Sequence, residues 1–97
     1  MFSEVKNFED EVKIGEIVYI GLKNQNGMKI PMYTSPGQTH KKFVRHFPSG
    51  KANGLYLGIL DKNQDVEIKS RAKISVFFEG TIYAGWVQIC YLHKEPL

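Results

Sequence analysis

Only one cysteine occurs among the 97 residues of this chain. Cys90 has no intrachain partner, so a small scaffold stapled by disulfides is excluded. A lone thiol suits a reducing compartment. No apolar run approaches the roughly 20 residues that a helix needs to cross a bilayer. The acidic opening, MFSEVKNFEDEVK, has neither the cationic start nor the apolar middle of a secretory signal. A cytoplasmic location with no membrane attachment is the expectation.

Residues for site chemistry are also scarce. His40, His46 and His93 have no metal-ligand spacing, and one cysteine cannot build a structural zinc centre. Asp61, Asn63 and Asp65 alternate as at the start of a calcium loop. The sixth and twelfth places, which such a loop gives to Gly and Glu, hold Val66 and Ala72. A surface turn is the simpler reading. Cys90 lies in an apolar run, where a small buried thiol is the ordinary role. No phosphate-cradling glycine loop, nucleophile elbow or placed carboxylate pair is present. The expectation is a protein that is not an enzyme and needs no metal or cofactor.

What is present is the texture of one β domain. The length allows a single domain with a small core, and 42% hydrophobic residues with 24% charged is ordinary globular composition. Residues 1–13 read as an acidic segment. Val5, Phe8 and Val12 stand at helical spacing behind Ser3 as N-cap, which predicts a short helix over 3–12. Residues 14–97 read as the β domain. IGEIVYIGLK is rich in β-branched and aromatic residues. NQNG, Asn24 to Gly27, predicts a hairpin turn into MKIPMYT. Pro31 lacks an N–H and points to an edge strand. GLYLGIL, DVEIK, AKISVFF and TIYAGWVQICYL predict the remaining strands, with Glu79–Gly80 as a tight turn. Five to six short antiparallel strands at this spacing imply an all-β barrel or sandwich. Phe77 and Phe78 must point to opposite faces of their strand, so one ring lies outside or beneath the N-terminal segment.

Charge is divided unevenly. Residues 1–16 hold five acids against Lys6 and Lys13, a net of −3, which leaves +6 for the rest of a chain whose total is +3. Residues 38–54 read as a long basic loop broken by Pro48, Gly50 and Gly54. It carries Lys41, Lys42, Arg45 and Lys51 with no acid. Such a field attracts anions or an acidic partner; a plain solvated loop is the competing reading. Long irregular segments in compact domains are usually functional.

The C-terminal pattern resembles the bacterial SH3-like (SH3b) domain family. Gly85, Trp86 and Val87 followed by Tyr91 and Leu92 match its last hairpin. Ser35 and Pro36 match its turn, and Leu57, Gly58, Leu60, Val66 and Ile68 match its central strands. The resemblance spans about residues 17–92. It implies a small SH3-like barrel with a shallow groove lined by aromatic side chains. The residues themselves give Gly85 as a point of close approach and Trp86 as a large apolar body sealing the interior.

The expected ligand-binding residues are Tyr33, Tyr56, Trp86 and Tyr91 from the groove, with Lys41, Lys42, Arg45 and Phe47 from the basic loop. A protein or peptide partner is the first expectation, as for an adaptor or a small inhibitor of the kind carried by phages or plasmids. A single-stranded nucleic acid stacked on aromatics beside a basic groove is the second. Cell-wall peptide, the common ligand of the resembled family, is the third.

Overall fold

The computed structural model describes residues 11–37, 42–60 and 71–97. All but the last two residues of the helix expected over 3–12 lie outside them, as do the strand expected at DVEIK and Lys41. Among the described residues the chain is all-β. Its strands are β1 (Ile17–Ile20), β2 (Lys29–Tyr33), β3 (Phe43–Pro48), β4 (Ala52–Leu60), β5 (Arg71–Phe78), β6 (Thr81–Gln88) and β7 (Leu92–His93), with a 3₁₀ turn at Ile89–Tyr91. They form one curled antiparallel sheet in the order β3-β2-β6-β5-β4-β1-β7, a half-barrel rather than a flat ribbon. No helix among the described residues is long and apolar enough to cross a membrane.

Seven strands stand where five to six were expected. One addition is β3, which occupies the middle of the segment read as a basic loop. Pro48 and Gly50 do interrupt the chain, but at the end of that strand, where Ser49 and Gly50 make the turn into β4. Inside it, Arg45 and Phe47 oppose Met32 and Ile30 of β2. That alternation gives the segment a reason to pair that its charge concealed. The other addition is the two-residue β7, which pairs Leu92 with Ile20 and His93 with Tyr19.

The hairpin expected at NQNG does not form. The segment does turn sharply, with Asn24 at φ 64° and Gly27 at φ 84° and the Met28 N–H bonded to the Gln25 carbonyl at 3.3 Å. The strands on either side then part. β1 pairs with β4 and β7, while β2 pairs with β3 and β6. The turn is local chemistry, but the pairing is decided by which apolar faces can be buried together. β2 is therefore not an edge. It meets β6 only at Tyr33 opposite Trp86, so Pro31 sits where that flank has no ladder to interrupt.

The β5–β6 hairpin forms as expected. Phe78 opposes Thr81 across Glu79 and Gly80, whose φ angles of 51° and 81° give the twist that suits a two-residue hairpin. Register shifts at Met32–Tyr33 and between Tyr56 and Leu60 bend the sheet, as bulges do. The concave face is the core: Val18, Ile20, Ile30, Met32, Phe47, Ile74, Val76, Val87, Ile89 and Leu92 are buried on it. A Cβ on Gly85 would stand 2.6 Å from both Met32 Cγ and the Tyr33 carbonyl oxygen. Only glycine lets β6 approach β2 this closely.

Candidate binding surface

Strand alternation divides the expected site residues between the two faces. Phe47 is fully buried and Tyr56 nearly so, with Tyr56 opposite Ile74 on the concave side. Both belong to the core, and neither presents a ring to a ligand. Arg45 also points inward. Its guanidinium lies over the rings of Phe47, Phe78 and Tyr83 at 4.9–5.1 Å. It donates to the Tyr83 hydroxyl at 3.0 Å and meets Glu79 at 3.4 Å. Arg45 closes one end of the core, so its charge is engaged within the fold. Of the expected basic contacts, Lys42 remains exposed beside β3.

Trp86 does not seal the interior. Its neighbours Gly85 and Val87 face inward, which turns the indole to the convex face. There the register places Tyr33, Trp86 and Lys73 side by side across β2, β6 and β5. The Lys73 ammonium stands 5.0 Å from the Trp86 ring. The Arg71 guanidinium carbon stands 3.5 Å from the centre of the Tyr33 ring, held by bonds to the carbonyls of Ser35 and Gly37 at 3.2 and 2.6 Å. Phe43 packs on Tyr33 at 5.1 Å and reaches His46 at 4.7 Å. The Trp86 indole N–H is shielded from solvent and has no acceptor among the described residues. Tyr91 is half-buried against the core. Burial, with added effects from Cys90 and Tyr33, pushes its phenol up, and burial also pushes the Cys90 thiol up. Tyr33 and Trp86 thus fall in one region, joined by Lys73, Arg71 and Phe43, which sequence reasoning did not select, while Tyr91 packs against the core.

The adjoining half of the convex face was also missed, apart from one ring. Phe77 is 69% exposed and Ile82 70%, and they are direct cross-strand partners. Leu55 and Ile17, about half exposed, are partners across β4 and β1. Ser75 joins the two rows, opposing Leu55 on one side and Ala84 on the other. The alternation at Phe77–Phe78 was the available signal: Phe77 faces out, and Phe78 packs on the core. The sequence could not show that Ile82, Leu55 and Ile17 gather beside Phe77, because four strands have to align first. Antiparallel sheets commonly expose one polar face. This sheet instead leaves two apolar cross-strand pairs on its outside, two residues out of step, with Ser75 between them.

A separate open cavity of about 520 Å³ lies at the β7 edge, between Leu22–Gln25 and the tail from His93 to Leu97, with Glu11 on its rim. None of the Tyr, Trp or Phe side chains among the described residues lines it. The buried His93 beside it donates from Nε2 to the Gly21 carbonyl at 2.6 Å, and burial holds the imidazole below its usual pKa.

No family model, curated protein or solved structure matches this chain.

Proposed function

We propose that this protein is a non-enzymatic binding module that recognises another protein through the convex face of its sheet. The observation that carries the reading is a pair of neighbouring cross-strand couples, Phe77 with Ile82 and Leu55 with Ile17, all about half exposed or more. Contiguous apolar patches on soluble proteins mark interaction surfaces far more often than scattered single residues do. Aromatic and arginine side chains, such as Tyr33, Trp86, Phe43 and Arg71 beside the patch, are the types enriched in interfaces. Covering four such side chains releases about 4–6 kcal/mol of apolar transfer energy. Association itself costs about as much, so the patch alone gives a weak complex and the polar half must supply the rest.

The contact surface therefore differs from the basic loop first expected, since Arg45 and Phe47 of that segment are committed to the core. The SH3-like reading of residues 17–92 stays part of the proposal. The curled antiparallel sheet and the close approach at Gly85 support it, although the described residues form seven strands. Nucleic acid is the weaker reading. Lys73 and Arg71 already lie over Trp86 and Tyr33, the rings on which bases would stack.

Selection of random phage-displayed peptides on the pure protein tests the proposal. Wild-type protein is expected to enrich peptides that the Phe77→Ser, Ile82→Ser double variant does not retain. Equal retention by both proteins would place the binding surface elsewhere.

A further inference from the structure

The charge on the convex face narrows the choice of partner. The described strands place Lys29, Arg71 and Lys73 on this face, while Arg45 points to the core, and they contain no Asp or Glu. The acids among the described residues, Glu11, Glu16, Glu79 and Glu95, all lie outside strands. Glu79, beside the Phe77–Ile82 pair, already faces Arg45. Lys73 stands over Trp86 and makes no salt bridge among the described residues. Two copies of the chain packed face to face would set Lys73 against like charge, with no carboxylate in the described strands to answer it. A single-stranded nucleic acid would meet four apolar side chains on half of the surface and rings already covered by cations on the other.

We infer that the occupant of this face is an acidic protein segment whose apolar side chains cover Phe77, Ile82 and Leu55 while its carboxylates reach Lys73. This rests on the convex face being the binding surface. Ile82 and Trp86 are four residues apart on β6, about 13 Å at the rise of a strand. An extended partner lying along β6 thus carries its first carboxylate about four residues beyond its apolar anchor. Opposite charge there fixes which way the partner lies and speeds encounter more than it deepens affinity.

Trp86 is the only tryptophan in the chain, so its emission reports binding at this face directly. Three synthetic peptides serve as probes, each beginning Leu-Ser-Leu-Ser and ending in Glu-Ser-Glu-Ser, Gln-Ser-Gln-Ser or Lys-Ser-Lys-Ser; a short oligothymidylate is the fourth. The Glu peptide is expected to shift Trp86 emission at the lowest concentration. Its affinity should fall about fivefold from low salt to about 0.15 M, and by a similar factor in Lys73→Gln. Ile82→Ser should weaken both the Glu and the Gln peptides. Equal affinity for the Glu and Gln peptides at every salt concentration would overturn the acidic partner while leaving the face intact. Preference for the Lys peptide or the oligonucleotide would also overturn it. So would concentration-dependent dimerisation in sedimentation equilibrium that Ile82→Glu abolishes, since that identifies a second copy as the occupant. Unchanged affinities in Ile82→Ser would instead bring down the face itself. Far-ultraviolet circular dichroism of each variant keeps misfolding from imitating any of these results.

Discussion

Arg45 shows how little a residue's charge says about its use. In sequence it belongs to the most basic stretch of the chain, yet in the fold its guanidinium spans three rings, a phenol and Glu79. Its aliphatic stem can lie over apolar surface while the planar head stacks. Arg45→Ala is expected to lower stability by about 1–2 kcal/mol, read as a lower urea midpoint, with Lys only partly restoring it. An unchanged midpoint would mean that the cap contributes nothing. Gly85 was legible, because a glycine beside a large aromatic in a strand has few uses except close approach. Gly85→Ala forces a methyl into the Tyr33 carbonyl and should cost about 1–3 kcal/mol. Shortening Met32 should recover only part of this, since backbone cannot yield as a thioether does. His93 adds a pH dependence near neutrality. Burial lowers its pKa in the folded state, so the unfolded chain takes up the proton first. Its contribution is present above about pH 6.5 and is lost as pH falls below that value. Thermal melts over that range should show a steeper loss in wild type than in His93→Gln, and equal slopes would remove His93 as the cause.

At the scale of elements, the sequence was clearest where the pairing is local. The β5–β6 hairpin follows from two apolar runs and a Glu-Gly turn, all within about twenty residues. The failures were pairings made over longer distances. NQNG turns the chain but joins strands that find other partners, and β3 was hidden because its inward side chain is an arginine. A period-2 pattern with Arg45 and Phe47 on the same face does not read as amphipathic until the rings around Arg45 are known. Hydrogen exchange separates a strand from a loop here. The amides of Ser49 and Thr34, bonded to the carbonyls of Met28 and Lys42 at 2.7 and 3.0 Å, should exchange slowly, in the range of β5 amides. Rates near those of an unstructured peptide would return residues 42–49 to loop.

For the molecule as a whole, fold class was legible and surface use was not. Strand texture, turn signals and one tight hairpin suffice for an all-β reading, because each is written within a few residues. Which face of the sheet is covered depends on the order of all seven strands. The patch gathers Ile17, Leu55, Phe77 and Ile82 from four strands spread over more than sixty residues, and nothing local marks them as neighbours. The expected contacts accordingly lie on the convex face rather than in the basic segment, with Tyr33 and Trp86 kept and Lys73 added. That face leaves apolar side chains in water that an isolated protein has no use for. The direct check is hydroxyl-radical labelling of the pure protein at low concentration, with oxidation read residue by residue by mass spectrometry. Phe77 and Ile82 should be modified many times faster than Phe47 and Val87. Protection of Phe77 and Ile82 to the level of Phe47 would contradict the account, because the face proposed as free would then already be covered.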